Sequence, residues 1–194
     1  MKGHGWMVTA IWMGATAACA GGEDRLKVVV LDQVGIGSGE MGYAVDLGRR
    51  LFDVLGVRTT WTVCRRGEPC PMPEPGTYIR LSVVPWTKGA VLGFANTDST
   101  ASGAPQAYAF HVPVTRLAKR TDQTLGVALA CVMVHESLHL LGLEHGPYGL
   151  MRESFDTQDL VNVTRGRPMM DAGQMKQLRE GLSRLNAIRL AAVS

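Results

Sequence analysis

The sequence predicts a single α+β domain with an α/β-like N-terminal part. Three observations predict this fold class. Short β-branched runs recur along the N-terminal part, an amphipathic helical pattern separates the first two, and a long apolar helix follows the last. The predicted order is β-α-β-β-β-β-α, then an irregular segment and a final helix. This order favours a twisted mixed sheet of about five strands with two long helices.

The five strands are predicted from β-branched runs and alternating apolar residues. They span residues 26–31, 57–63, 78–84, 91–96 and 107–112. Pro113 cannot donate a hydrogen bond to a neighbouring strand, so it should end the fifth strand or place it at an edge. His111, on that strand, is predicted to be structural.

Two long helices are predicted before residue 145. The first begins at Ser38 or Gly39 and stops at Gly56, because the apolar residues between them share one helical face. Residues 124–141 are apolar almost all round, which predicts a buried helix. Gly142 should end this helix, since glycine readily adopts a positive φ.

The rest of the chain carries weaker signals. Residues 146–168 are predicted to be irregular, and a capping box of Asp171 and Gln174 predicts the start of the final helix. A basic cluster is expected to be a solvated face. It consists of Arg116, Lys119 and Arg120.

The composition excludes several classes of protein. With 46% apolar and 19% charged residues, the chain is too hydrophobic to be disordered. The net charge of +3 comes from scattered lysines and arginines, so we expect no nucleic-acid partner. The 194 residues suffice for one core, and four cysteines are too few for a disulfide scaffold.

Residues 1–20 have the pattern of a secretory signal peptide. Their apolar run, 6–18, has about 13 residues, against roughly 20 for a helix that spans a bilayer. Small residues favour cleavage before Gly21, which leaves 21–194 as the mature domain. Cleavage before Cys19, followed by its lipidation, would instead tether the protein to a membrane. An uncleaved anchor and a buried apolar helix are the other interpretations, but we expect an exported protein, periplasmic or extracellular.

The chemistry is concentrated in one motif, HExxHxxGxxH. His135 and His139 lie one turn apart on one helical face, so both imidazoles can bind one metal ion. Gly142 allows the chain to turn back, and His145 can then supply a third nitrogen. Three protein ligands leave one tetrahedral position open, which is typical of catalytic zinc. Glu136 is adjacent and can act as general base.

Chance is a weak explanation for this pattern, which random sequence produces in about one chain in 10⁵. A lone histidine on an apolar helix is usually a hydrogen-bonded core residue, but three at this spacing predict one Zn²⁺ per chain. The motif resembles that of the metzincins, a group of zinc peptidases in which a methionine turn follows it. Residues 145–155 and 174–179 also resemble small exported bacterial zinc peptidases, and the resemblance is specific from about Val127 to Phe155.

The resemblance implies a metzincin-like fold with a short lower subdomain, a methionine turn and a C-terminal helix. Met151 would then form the hydrophobic floor below the metal, in the turn Gly149-Leu150-Met151. An ordinary core methionine is the alternative interpretation, and Met169 and Met170 are rival candidates. The resemblance also implies that a substrate lies extended along the edge strand at 91–96.

The sequence therefore predicts an exported, monomeric zinc metalloendopeptidase that acts on a peptide or protein substrate. Two alternatives remain, a zinc-bearing binding or structural protein without turnover and a zinc hydrolase of a non-peptide amide. Cys64 and Cys70 could form a disulfide after export, although free thiols or a metal pair are also open. Cys131 is expected to be inert core.

Overall fold

A computed structural model describes residues 26–74, 78–85, 91–96 and 104–191. The predicted signal segment, 1–20, and the candidate lipidation site, Cys19, lie outside these ranges. The strands are β1 (Leu26–Asp32), β2 (Thr59–Arg65), β3 (Tyr78–Val84), β4 (Gly93–Asn96) and β5 (Gln106–Phe110). The α-helices are α1 (Ser38–Val54), α2 (His111–Arg120), α3 (Leu125–Leu140), α4 (Thr157–Thr164) and α5 (Ala172–Ala191).

The five strands form one mixed sheet in the order β2-β1-β3-β5-β4. The first four in this order are mutually parallel, and β4 pairs antiparallel with β5. Two neighbouring parallel strands must be joined by a crossover connection, usually a helix or a long segment. Helix α1 forms this connection between β1 and β2. The prediction of a mixed five-stranded sheet is therefore confirmed, and β4 lies at its end.

The main core lies between the sheet and helices α1 and α3. Helix α3 begins at Thr124, whose hydroxyl accepts a hydrogen bond from Val127 N at 3.3 Å. Its side chains are buried from Gly126 to Leu138, which agrees with the predicted apolar helix. The carboxylate of Glu40 in α1 accepts a hydrogen bond from Gly126 N, at the positive end of the α3 dipole. The first contact caps α3, and the second joins its N-terminus to α1.

Helix α2 was not expected from the sequence, which predicted that the fifth strand continues to residue 112. That prediction is wrong beyond Phe110, because His111 is the first residue of α2. Pro113 lies in the first turn of this helix, where backbone N–H groups have no intrahelical acceptor, so its missing N–H costs nothing. Arg116, Lys119 and Arg120 are exposed on α2, as predicted for a solvated face.

Helix α4 corrects the prediction that residues 146–168 are irregular. It begins with a capping box in which Asp156 and Asp159 each accept a hydrogen bond from the other's backbone N–H, at 2.9 and 3.0 Å. An aspartate at the third helical position replaces the usual glutamate or glutamine, so the pattern is less conspicuous in the sequence. The predicted capping box of α5 is confirmed, since Gln174 N donates to Asp171 Oδ1 at 2.8 Å.

Cys64 and Cys70 form a disulfide with their Cα atoms 5.2 Å apart. Cys131 is free and fully buried in α3, and burial raises the pKa of its thiol, as expected for an inert core residue. Among the helices of the described residues, none combines the length and apolar character needed to cross a membrane.

Candidate metal centre

Three histidines meet at the C-terminal end of α3. His135 and His139 lie one turn apart on α3, and His145 follows in the loop after it. Gly142 ends the helix with a φ of 87°, as predicted. Leu143 N donates to Leu138 O at 3.1 Å and Gly142 N to His139 O at 2.9 Å, which is the hydrogen-bond pattern of a Schellman motif. This turn brings His145 back towards the helix.

The Nε2 atoms of the three histidines face one another. They lie 2.9 Å apart between His135 and His139, 3.1 Å between His139 and His145, and 3.3 Å between His145 and His135. A tetrahedral zinc ion with nitrogen ligands at about 2.0–2.1 Å would separate them by about 3.3 Å. The spacing therefore fits one ion with a fourth position left open.

Hydrogen bonds on the other ring nitrogens determine which nitrogen carries the proton. His135 Nδ1 donates to Leu150 O at 2.8 Å, and His139 Nδ1 donates to Leu143 O at 2.7 Å. The Nε2 atoms of these two neutral rings therefore present lone pairs, which cannot hydrogen-bond to one another. A cation between them resolves this conflict, and carbonyl oxygens on Nδ1 are the usual support for metal-bound histidine.

Burial keeps these ligands neutral. Desolvation lowers the pKa of His135 to about 3, and it also lowers the pKa of His139. A proton on a neighbouring imidazole would oppose protonation of these rings and so act in the same direction. Both rings therefore hold their lone pairs for a metal at neutral pH and do not bind a proton there. This donor set fits Zn²⁺.

Glu136 lies beside the first ligand and is only 5% exposed. Desolvation raises the pKa of its carboxyl to about 8. The carboxylate lies against β4, where Gly93 leaves room for it. A Cβ at Gly93 would lie 2.7 Å from Glu136 Cδ and 2.6 Å from the backbone oxygen of Tyr108. Gly93 is thus part of the site. Its role was not predicted, because the contact joins residues that are distant in the chain.

A single 3₁₀ turn, Gly149–Met151, lies next to the site. The carbonyl of Leu150 in this turn accepts the hydrogen bond that orients His135. The backbone N–H of Leu150 donates to Pro168 O at 2.9 Å. Met151 is fully buried in this turn, whereas the rival Met169 is 46% exposed. Of the predicted candidates, Met151 is therefore the buried methionine next to a residue that contacts a ligand.

Helix α5 holds the loop between α3 and His145. Arg184 Nη2 donates to Leu141 O at 3.2 Å, at the negative end of the α3 dipole. Gly181 allows this approach, since a Cβ there would lie 2.8 Å from the carbonyl carbon of Leu141. The C-terminal helix therefore secures the turn that carries the third ligand.

A cavity of about 1000 Å³ opens over the metal-ligand group. It is lined by β4, by α2, by the C-terminal half of α3 and by two loop segments, 142–145 and 153–155. Arg116 and Arg120 of α2 are among its lining residues, so the basic cluster faces a cavity as well as solvent. The sequence missed this because it did not predict α2.

The fold is similar to two solved structures. Archaemetzincin from Methanopyrus kandleri is 17% identical with a TM-score of 0.55, and the match covers 83% of this chain and 97% of that one. A zinc-dependent peptidase from Methanocorpusculum labreanum is 16% identical with a TM-score of 0.50, covering 78% of this chain and 99% of that one. No protein-family model and no curated protein matches the sequence. At these identities the likeness shows a shared mixed α/β fold.

Proposed function

We propose that this protein is a zinc-dependent peptidase of the metzincin type. One observation carries the proposal: three Nε2 lone pairs converge next to a buried carboxylate, inside a cavity bordered by the end strand of the sheet. The similar solved structures include archaemetzincin and a zinc-dependent peptidase, which supports the same chemistry here. The motif HExxHxxGxxH and the buried Met151 in a short turn support the metzincin type.

The histidines would hold Zn²⁺, which when bound supplies a Lewis acid that polarises a carbonyl group and makes water more acidic. His135, His139 and His145 fix the position of the reaction through their Nε2 atoms. The carbonyl oxygens of Leu150 and Leu143 keep the first two rings in the correct tautomer.

Glu136 moves the proton. Its carboxylate accepts a proton from the water whose oxygen adds to the substrate carbonyl carbon, and it then donates that proton to the nitrogen of the leaving amine as the C–N bond breaks. Desolvation raises the pKa of this carboxyl, so its ionised form is a stronger base than an exposed carboxylate, and the positive charge of a bound Zn²⁺ would favour that ionised form. Gly93 keeps the carboxylate beside the strand along which a substrate can lie.

A peptide substrate would extend β4. This strand lies at the end of the sheet and borders the cavity, so a peptide in extended conformation can add to it through main-chain hydrogen bonds. Phe94 on β4 is 56% exposed and lines the cavity, where it offers an apolar contact to a substrate side chain.

Export of the mature domain, 21–194, is also part of the proposal. The Cys64–Cys70 disulfide supports it, because disulfides persist in oxidising compartments. Membrane tethering through Cys19 and a monomeric state stay predictions of the sequence.

The test compares wild type with Glu136→Gln, which keeps the shape of the side chain but removes the base. Zinc content is measured by elemental analysis, and hydrolysis of a peptide library is followed by mass spectrometry with and without chelator. We expect one zinc per chain in both proteins and chelator-sensitive hydrolysis in wild type alone. Glu68→Gln, an exposed carboxylate in the turn after β2, serves as the matched control and should behave as wild type.

Two results would contradict the proposal. Equal hydrolysis by wild type and Glu136→Gln would exclude Glu136 as the base. Zinc binding without hydrolysis of any peptide would favour a binding protein or a hydrolase of non-peptide amides.

A further inference from the structure

We propose that the α2 side of the cavity binds a carboxylate of the substrate, so that cleavage is preferred where an acidic group lies close to the scissile bond. The inference rests on the proposed peptidase function and specifies its substrate class. A carboxylate at this place could be an Asp or Glu side chain, or the free C-terminus of a short peptide.

Two arginines give this part of the cavity its charge. Arg116 and Arg120 are four residues apart on α2, so their side chains lie one above the other on the same helical face. Both line the cavity, whereas Lys119, between them in sequence, does not. The helix therefore presents two guanidinium groups to the same space.

These guanidinium groups have no acidic partner among the described residues. Arg120 Nη2 donates to Phe155 O at 3.3 Å, which leaves its other N–H groups available. Arg152, by contrast, has its guanidinium occupied by Asp156 and Asp159. Two unpaired arginines on one wall of a cavity are suited to bind a carboxylate.

Arg120 is connected to the metal-ligand group through Phe155. Phe155, whose carbonyl anchors Arg120, has its ring in edge contact with His135, with ring centroids 5.5 Å apart. A single residue thus separates Arg120 from a metal ligand.

Three acidic residues also line the cavity, Glu136 of α3 and Glu144 and Glu153 of the loops that follow it. Neither Glu144 nor Glu153 forms an ion pair with Arg116 or Arg120. The positive charges therefore come from α2, and the negative charges come from α3 and the loops. A substrate carboxylate is attracted to the α2 wall and repelled by the loop carboxylates, which makes its placement selective.

The experiment uses pairs of peptides that differ only in having Glu or Gln at one position. A separate pair is made for each position on either side of a cleavage site. Each peptide is made with a free acid and with an amidated C-terminus. The value of kcat/KM is measured with zinc-loaded wild type, and binding is measured by fluorescence anisotropy with zinc-loaded Glu136→Gln. We expect one position at which Glu is preferred over Gln by about tenfold or more, and a smaller preference at high salt.

The variants assign this preference to α2. Arg116→Gln and Arg120→Gln should each reduce the Glu/Gln ratio, and the double variant should bring it close to one. Lys119→Gln, on the same helix but outside the cavity, should leave it unchanged. Arg116→Glu should shift the preference towards Lys at that position. If Arg120→Gln lowers the melting temperature through loss of the Phe155 contact, Arg116→Gln alone still decides the question.

Each outcome has one meaning. A ratio of one at every position, or a ratio unchanged in Arg116→Gln, would overturn the inference while peptide hydrolysis still supports the peptidase function. A preference that follows the acid or amide terminus identifies the C-terminal carboxylate as the ligand. Absence of hydrolysis would contradict the proposed function, and the anisotropy ratio would still show whether α2 binds carboxylates.

Discussion

A methyl group added at Gly93 tests whether β4 controls the position of the proposed general base. In Gly93→Ala the new Cβ would lie 2.7 Å from Glu136 Cδ and 2.6 Å from the backbone oxygen of Tyr108. Ordinary van der Waals contact begins near 3.4 Å, and the nearest carboxylate oxygen is closer to the new Cβ than Cδ is, so the carboxylate must move by about 1 Å. The Tyr108 oxygen belongs to β5, so β4 must also shift relative to β5, in addition to the movement of the Glu136 side chain.

The expected effect follows from this displacement. Misplacing a catalytic group by about 1 Å can cost about 100-fold in rate, so kcat/KM should fall by roughly 10- to 100-fold. Overpacking of this kind also destabilises proteins by about 1–3 kcal/mol, which a melting curve detects. The zinc content should stay near that of wild type, because no ligand is changed.

The control is Gly42→Ala in α1, where a Cβ would have no atom within 4 Å. This change should leave kcat/KM unchanged and raise stability by about 0.5–1 kcal/mol, since alanine is the better helix former. If Gly93→Ala is folded, binds zinc and keeps kcat/KM within about twofold of wild type, then β4 does not constrain Glu136 and the reasoning is refuted.

Three further predictions concern stability. Arg184→Gln removes the cation from the C-terminal end of α3, so the free energy of unfolding should fall by about 0.3–1 kcal/mol. The same variant should bind zinc more weakly in a competition titration, and an unchanged zinc affinity would show that other contacts hold the loop. Removal of zinc by a chelator should lower the melting temperature, and readdition at about 1,000 times the dissociation constant should restore about 4 kcal/mol, as calorimetry can measure. In the metal-free protein, the native state keeps the Glu136 proton up to a pKa of about 8, whereas the unfolded chain loses it near its ordinary pKa. The native state therefore binds more protons between these values, and this contribution to stability declines as the pH rises towards 8. Metal-free Glu136→Gln lacks this decline. Its free energy of unfolding in urea, relative to that of wild type, should therefore increase from pH 5 to pH 8 by a few kcal/mol at most. A difference that does not change with pH would contradict the raised pKa.

The sequence predicts the parts of this protein that depend on local spacing. The histidines at 135 and 139 share a helical face because of the helical repeat, and Gly142 marks the turn because of its conformational freedom. Five strands could be placed because β-branched runs are short and separated by turn residues. Strand β3 has the predicted limits of 78 and 84.

The contacts that were missed join residues far apart in the chain. Gly93 and Glu136 are 43 positions apart, as are Leu141 and Arg184, and no local pattern indicates either contact. Pro113 concealed α2, because proline is typical both of a strand end and of the first turn of a helix. Without α2, the sequence could not show that Arg116 faces the same cavity as the metal ligands.

The close packing of α5 against Leu141 has a consequence for the order in which activity arises. The turn that presents His145 is secured by Arg184 and Gly181 of α5, which follow it in the chain. During synthesis α3 emerges before these residues, so we expect the two histidines on α3 to be in place before the third is fixed. The metal-ligand group would then become complete only after α5 has packed against Leu141.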